Sequence, residues 1–392
     1  MKSVLIRGPL LSQSGYGVHS RQIFKFCEAQ KDWNVSTQAL PWGITPWNIN
    51  SEDEDGIYGR IMSKSARQNQ KFDISIQIQL PHEWDTNLAN YNIGVTAGVE
   101  TTACSVEWSN HHCDKMDLVI VPSNFAKKTL VKSHIGPLKT PVEVLPEAYF
   151  SELLEDPETD PLQDIPTQKN ILMVGTLTSE APESDRKNLV NSIVWFMKAF
   201  QGKPDVGLVV KTSKGRDTTI DRQLVRKMLE QVKKYSGVSG KKAPKLYMLH
   251  GSMSRAEMRD LYKSPKISAY ASATRGEGFG LPLLEAAISG LPVVATNWSA
   301  HTEFLSGDSF LDTAYDLKVV PSTRVDGKIF VADAMWAEPR EGNFSRKLKI
   351  AIAENRKLKE KAIDLSAELR DSHSLDALCV QFENIIKEHY KK

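Results

Sequence analysis

The sequence predicts an α/β fold made of two doubly wound domains. Its 392 residues exceed one ordinary core, since domains usually hold roughly 100–200 residues. Apolar runs of strand length alternate with stretches of helical periodicity, which favours parallel sheets covered by helices. An acidic, proline-bearing segment at 152–169 shows neither period and separates two such series. We therefore predict domains at 1–165 and 166–372, and a helix at 373–392 that returns to brace the first domain.

Composition and charge exclude several classes of protein. Apolar residues at 41% and charged residues at 25% are typical of globular chains rather than disordered or fibrous ones. A net charge of +2, from 50 basic and 48 acidic residues, gives no overall attraction for polyanions. The four cysteines form no evident disulfide framework, and we find neither a signal peptide nor a run approaching the roughly 18 apolar residues of a membrane span. We expect a cytoplasmic protein.

The first half opens as a strand, a glycine-bearing loop and a helix. Residues 4–6 form the predicted strand, S-G-Y-G at 14–17 the loop, and 18–29 the helix. The remaining elements predicted before residue 150 are strands at 34–40, 74–80, 91–95 and 118–121 and a helix at 124–133.

The second half repeats this alternation. Strands are predicted at 171–174, 207–211, 245–249, 267–271 and 292–296. The helices between and after them are predicted at 189–200, 222–235, 255–262, 281–289, 345–370 and 375–390. Both halves therefore indicate sheets of mainly parallel strands.

The segment R-G-E-G-F-G-L-P-L-L-E-A-A at 275–287 carries the strongest chemical signal. Gly278 and Gly280 allow positive φ and close approach of the backbone to a ligand. The free amides and positive dipole of the helix that follows suit a bound diphosphate. Glu277 precedes the turn and Glu285 lies about one turn inside the helix, so their carboxylates can reach the sugar and ribose hydroxyls of one extended ligand.

This segment resembles the signature of the retaining GT-B glycosyltransferases of the family 4-like type, group 1. That signature is Glu, seven residues, Glu in a G-F-G-L-P-x-x-E-A context, and the resemblance covers residues 170–310. It implies two Rossmann-like domains facing across a cleft, with the donor site mainly in the C-terminal domain. The implied reaction moves a hexose or pentose from a nucleoside-diphosphate sugar to an acceptor hydroxyl, with retention and without a metal ion or other cofactor.

The resemblance also implies roles for individual residues. Glu277 would contact the transferred sugar, and Glu285 the nucleotide ribose. The phosphate and sugar would lie against the backbone of the turn formed by Gly278, Phe279, Gly280 and Leu281.

A second set of candidates follows the strand at 171–174. Gly175 and the pair Arg186 and Lys187 match the family's strand-end glycine and downstream basic residue. Departure of a nucleoside diphosphate concentrates negative charge, which preorganised cations stabilise in place of a metal. Thr176 stands where the family often has arginine, so the catalytic role falls to the pair, with Lys211 as a further donor-binding candidate. A basic pair before a helix is alternatively a solvated surface feature.

In the first half, Gly15 and Gly17 resemble the family's glycine-rich loop against the donor phosphates. The loop is not a full dinucleotide fingerprint, and an ordinary turn is the alternative. Many family members place a histidine after the strand that matches 91–95, whereas this chain reads T-A-G-V-E there. Glu100 or Thr101 is therefore expected to face the acceptor in its place, and Glu100 is the candidate we select.

The resemblance extends to transferases of bacterial glycan clusters and large tailed phages, which leaves two acceptor classes. One is a glycan or lipid-linked saccharide. The second is a hydroxymethylated pyrimidine in phage DNA, which a lysine cluster at positions 127, 128, 132 and 139 would favour. Lysines on a helix usually form a solvated face, so the glycan is preferred. The sequence also leaves open a sugar phosphorylase, a nucleotide-sugar epimerase and a non-catalytic binding module.

Overall fold

The computed structural model describes residues 1–67, 70–176 and 181–391. Its contacts divide the chain into two compact units. The first unit comprises Met1–Ala148, Val325–Ala334 and Leu375–Lys392, and the second comprises Tyr149–Arg324 and Met335–Ser374.

The strands follow one another in chain order through both units. They are β1 Lys2–Gly8, β2 Trp33–Ala39, β3 Phe72–Ile78, β4 Ala89–Val95, β5 Leu118–Val121, β6 Val142–Val144, β7 Lys169–Val174, β8 Val206–Thr212, β9 Lys245–His250, β10 Ile267–Ser272, β11 Val293–Thr296, β12 Leu311–Thr313, β13 Tyr315–Val319 and β14 Met335–Pro339.

The helices alternate with these strands and close the chain. They are α1 Gly15–Glu28, α2 Asp53–Ser63, α3 Asn124–Lys132, α4 Leu189–Ala199, α5 Thr219–Tyr235, α6 Arg255–Lys263, α7 Leu281–Ile288, α8 Glu341–Ala353, α9 Asn355–Ser372 and α10 Leu375–His389.

Each unit is built on a six-stranded sheet. The first sheet has the order β2-β1-β3-β4-β5-β6, and every pairing in it is parallel. The second has the order β12-β11-β10-β7-β8-β9, again wholly parallel. The prediction of two doubly wound α/β domains is confirmed.

Helices cover both faces of the second sheet. Side chains of β7 alternate between two buried clusters, with Ile171 and Met173 in one and Leu172 in the other. Burial on both faces explains why strands such as β5 and β11 are continuous apolar runs rather than alternating ones.

Helix α10 belongs to the first unit. Its Phe382 ring lies 5.7 Å from the Phe26 ring of α1 and 6.2 Å from Trp33 of β2. Leu378 and Ile386 are buried in the same cluster. The apolar stripe of the last helix therefore completes the core of the N-terminal sheet.

The contact boundary lies at residue 148/149, whereas composition places it at 165/166. Tyr149, Leu153 and Leu162 are buried in the cluster that also holds side chains of β10 and α7. A few apolar side chains thus anchor this polar segment to the second unit.

The prediction of one helix at 345–370 is wrong. Two helices occupy this stretch, α8 and α9, and Glu354 separates them with φ −104° and ψ 23°. Phe344 and Leu348 of α8 enter one buried cluster, whereas Leu365 and Leu369 of α9 enter the other. Because the clusters lie on opposite faces of the sheet, the chain must turn between them.

Candidate active site at the carboxyl edge of the second sheet

The order of the second sheet reverses between β7 and β10. The chain runs outward from β7 through β8 to β9, and then outward on the other side from β10 to β12. At such a switch point the loops that follow the two central strands diverge and leave a crevice where ligands bind in open α/β sheets. Arg186 and Lys187 follow β7, and Glu277 follows β10, so the topology brings both predicted sets to one crevice.

Glu277 lies at the centre of this cluster. Lys187 Nζ donates to both of its carboxylate oxygens, at 2.8 Å and 2.7 Å, and Arg186 Nη1 lies 3.3 Å from Oε2. Thr274 Oγ1 donates to Oε1 at 2.8 Å. With the whole residue only 5% exposed, this is a buried, fully hydrogen-bonded carboxylate facing two cations.

The charge state of Glu277 follows from these contacts. Burial raises the pKa of the carboxyl. The charges of Lys187 and Arg186 and the hydrogen bonds from Lys187 and Thr274 outweigh this effect and lower the pKa to about 2. The side chain is therefore an anion throughout the neutral range.

The backbone that carries the two cations is itself held in place. Asp185 Oδ2 accepts the N–H of Leu189 at 2.7 Å and so caps α4. Arg275, which is 2% exposed, donates from Nη1 to the carbonyls of Asp185 at 2.6 Å and Pro182 at 2.7 Å. Arg275 also pairs with Glu338 of β14 at 2.7 Å.

Arg275 was not among the residues singled out in the sequence. The signal that could have found it is an arginine placed directly before the glycines of the turn, between an apolar strand and a buried acid. Its partner Glu338 comes from a hairpin that the sequence did not predict, so the pair emerges only in the folded unit.

The turn before α7 presents backbone donors. Gly280 has φ +110°, and a Cβ there would lie 3.2 Å from His301 Cβ, so glycine is required. Phe279 is buried, with its ring 5.4 Å from Phe304. No described residue accepts a hydrogen bond from the amide of Phe279, Gly280 or Leu281. These amides and the helix dipole make the turn suitable for an anionic group.

Glu285 lies one turn into α7, in a different environment. Burial raises the pKa of its carboxyl to about 7, although a 2.9 Å hydrogen bond from the Tyr262 hydroxyl and the charges of Arg255 and Lys211 lower it. The two carboxylates therefore differ in charge at neutral pH, with Glu277 ionised and Glu285 partly protonated.

Tyr270 lies near both acids. Its hydroxyl donates to the Val174 carbonyl at 3.3 Å, which places it at the end of β7. Burial, and then the charges of Glu277 and Glu285, raise the pKa of this phenol well above its ordinary value.

Lys211, at the end of β8, is the next cation along the sheet edge. Its Nζ donates to the Gly251 carbonyl at 2.7 Å. Burial lowers its pKa, while the charges of Asp217 and Glu285 raise it. Gly175 follows β7, and open space surrounds the position that a Cβ would take. Both residues thus lie at the same carboxyl edge as Glu285.

Gly15 and Gly17 lie in the first unit, in the first turn of α1. The Ser14 hydroxyl caps this helix by accepting the N–H of Gly17 at 3.1 Å. A Cβ on Gly17 would lie 2.0 Å from the Ser12 carbonyl oxygen, whereas a Cβ on Gly15 would meet open space. Packing alone therefore explains Gly17, and Gly15 is the glycine that leaves room beside the loop.

Glu100 follows β4 of the same unit. Tyr16 connects its loop to the glycine-bearing loop: the Tyr16 hydroxyl accepts the N–H of Ala97 at 3.0 Å and lies 3.0 Å from Thr96 Oγ1. Burial, and to a smaller degree the charge of Glu100, raise the pKa of Tyr16. Gly15 and Glu100 thus lie at neighbouring loops of the first sheet's carboxyl edge.

Within residues 1–67, 70–176 and 181–391, no three side chains of His, Cys, Asp or Glu are grouped as a metal site would require. No helix in this part of the chain combines the length and hydrophobicity needed to cross a bilayer.

Residues 238–308 match the family model described as glycosyl transferases group 1. No curated protein matches the chain significantly. HepE from Anabaena, solved in complex with UDP-glucose, has a similar structure, with a TM-score of 0.63 and 13% identity over 99% of this chain and 100% of that one. Sucrose-phosphate synthase from Thermosynechococcus elongatus has a TM-score of 0.62 and 11% sequence identity, over 99% of both chains.

The pneumococcal O-GlcNAc transferase GtfA gives a TM-score of 0.49 and 15% identity, over 81% of this chain. The chain spans 57% of the length of that protein. At these identities the likeness to HepE and sucrose-phosphate synthase establishes the fold.

The fold is therefore the GT-B architecture expected from the sequence. The family match over 238–308 includes both Glu277 and Glu285.

Proposed function

We propose that the protein transfers a sugar from a nucleoside-diphosphate sugar to an acceptor hydroxyl, with retention of configuration and without a metal ion. The observation that carries this proposal is the buried Glu277 carboxylate held by Lys187 and Arg186 at the β7/β10 switch point. A sugar diphosphate has hydroxyls that can donate to a carboxylate and phosphates that cations can stabilise, and this site places one carboxylate beside two cations.

Each of these protein groups binds a different part of the donor. The ionised form of Glu285 accepts the ribose hydroxyls, and the amides of the turn before α7 bind the phosphates. Glu277 accepts hydroxyls of the transferred sugar. Lys187 and Arg186 stabilise the charge that builds on the distal phosphate, an effect that is largest in the transition state.

The reaction step conserves charge and protons. The bond between the anomeric carbon and the distal phosphate oxygen breaks, and the acceptor oxygen bonds to the same face of that carbon. The acceptor proton passes to the departing phosphate oxygen. Two cations already fixed at the site supply the electrostatic role that a divalent metal has in other transferases.

For the acceptor we propose a glycan or a lipid-linked saccharide, with Glu100 on the acceptor side. The lysines that would favour DNA lie on and just after α3, and one of them, Lys127, is 3.7 Å from Glu143, so part of that charge is neutralised. Steep loss of acceptor binding between about 50 and 200 mM salt would instead identify DNA.

The test begins with donor binding. Purified protein is heated with UDP-, GDP-, ADP- and CMP-sugars without added metal, and UDP-glucose is tested first because HepE was solved with it. A donor at 100 times its Kd should stabilise the folded protein by about 2.7 kcal/mol. Glu285→Ala should lose this stabilisation, and Glu360→Ala, which alters an exposed acid on α9, should retain it.

Transfer is then measured with the donor that binds. Sugar transfer or slow hydrolysis that disappears in Glu277→Ala supports the proposal. Stabilisation without turnover across an acceptor panel would indicate a binding module, and consumption of inorganic phosphate would indicate a phosphorylase. No stabilisation by any donor would refute the proposed function.

A further inference from the structure

Ser299 has a backbone conformation that serine rarely adopts. It follows β11 with φ +81° and ψ −167°, a region populated almost only by glycine. The residue is only 6% exposed, so the conformation is surrounded by protein rather than by solvent. A strained residue persists where its surroundings impose the conformation, and such residues cluster at functional sites.

The side chain of Ser299 bonds directly to the candidate catalytic segment. The N–H of Glu277 donates to Ser299 Oγ at 2.9 Å. The Ser299 oxygen lies 3.4 Å from His301 Nδ1, and His301 Nε2 lies 2.6 Å from the Thr296 carbonyl. These contacts form a chain from the backbone of Glu277 to the end of β11.

The direction of each hydrogen bond in this series of contacts can be assigned. A carbonyl only accepts, so His301 Nε2 carries a hydrogen and donates to Thr296. Burial lowers the pKa of His301, although the Thr296 carbonyl and the charge of Glu277 raise it, so the ring is neutral and Nδ1 accepts. The Ser299 hydroxyl then donates to Nδ1, which leaves its lone pairs for the Glu277 amide.

We propose that Ser299 is a positioning residue whose hydroxyl, oriented by His301, fixes the backbone of Glu277 so that the carboxylate meets both Lys187 and the donor sugar. This inference rests on the proposed function, because positioning matters to turnover only if Glu277 binds the donor. Glycine would relieve the strain at this position but would remove the hydroxyl. The hydrogen bond that the hydroxyl accepts from Glu277 is thus a function that glycine could not supply at this position.

Two substitutions separate strain from hydrogen bonding. Ser299→Ala removes the hydroxyl and keeps a Cβ at positive φ, whereas Ser299→Gly removes the hydroxyl and relieves the strain. Ser299→Gly should therefore unfold at a temperature a few degrees above Ser299→Ala. Both should lower kcat by the same factor, about 5–10-fold, because both lose one hydrogen bond to the reacting segment.

Two further readouts distinguish positioning from a purely structural role. Affinity for the nucleoside diphosphate alone should be unchanged in both variants, because Glu277 contacts the sugar and not the nucleotide. Hydrogen exchange of the Glu277 amide, followed by mass spectrometry of a peptide covering 274–280, should be faster in both. Thr302→Val is the matched control: Thr302 Oγ1 donates to the Ser299 carbonyl at 2.8 Å in the same turn and does not bond to Glu277.

The outcomes are distinguishable from those of the function test. Unchanged exchange at Glu277, or wild-type kcat in Ser299→Gly, would overturn the positioning role. The positioning role would also be overturned if the less stable variant, Ser299→Ala, lost more kcat than Ser299→Gly, so that kcat followed the unfolding temperature. Faster exchange in a protein that binds no donor would leave the hydrogen-bond chain supported and reject the proposed function alone.

Discussion

Replacing Glu277 by glutamine removes one negative charge from between two cations. The carboxylate contacts Lys187 Nζ at 2.7 Å and Arg186 Nη1 at 3.3 Å. Glutamine keeps the shape and one acceptor, but it removes the negative charge that faces both cations in this buried site. Removal of one partner from a buried ion pair is strongly destabilising because the remaining charge is uncompensated.

The magnitude follows from the pKa of the carboxyl. Its fall from an ordinary value of 4.5 to about 2 corresponds to about 3 kcal/mol of stabilisation by the ionised form at pH 7. Because the pKa of the folded state is the lower one, this stabilisation is complete above about pH 4.5 and is lost as the pH falls toward 2. At pH 3.5 it should be about 2 kcal/mol.

The assay is urea unfolding of wild type and Glu277→Gln at pH 7 and pH 3.5. We expect the variant to be less stable at pH 7 and the difference to shrink at pH 3.5. Glu230→Gln serves as control, because that exposed acid pairs with Arg226 on the surface of α5 and its replacement should change stability little. Equal stability of wild type and Glu277→Gln at pH 7, or a difference independent of pH, would refute this electrostatic account.

Three further predictions concern other parts of the protein. Lys187→Met should slow transfer by roughly 100-fold or more, because it removes charge stabilisation from the transition state. Lys198→Met, on the exposed face of α4, is the control and should not alter the transfer rate in the same assay. Glu285→Gln should raise the thermal unfolding temperature at pH 8 but not at pH 4, because the raised pKa of this carboxyl makes ionisation costly in the folded state; equal effects at both pH values would contradict this. Gly17→Ala should lower the unfolding temperature through the clash with the Ser12 carbonyl, and Gly15→Ala should not, as thermal unfolding of the pair would show.

Local sequence features predicted most of the regular structure. Buried parallel strands such as β5 and β11 are apolar runs bounded by turn residues, and these signals need no tertiary information. The hairpin of β13 and β14 was missed: Leu317 and Val319 of β13 are exposed, so its hydrophobic pattern carries little signal. The division of one long helical pattern into α8 and α9 was missed because amphipathic periodicity does not reveal which face of a sheet a helix covers.

For the candidate site, the glycine spacing and the two acids of the turn before α7 were visible in the sequence. Arg186 and Lys187 were also visible, as a basic pair after a strand. The contact of Lys187 with Glu277 across 90 residues of chain follows from the order of β7 and β10 in the sheet, which no local pattern encodes.

The α/β class, most of the strands and helices, and the segment that holds both acids of the candidate site were predictable from the sequence, because side-chain periodicity and glycine-rich turns act over a few residues. The charge states of the two acids depend on the folded structure, since one carboxyl is buried between cations and the other beside a phenol. The folded structure alone also revealed that Ser299 holds the Glu277 backbone, because hydrogen bonds between segments distant in the chain depend on how the sheet brings strand ends together.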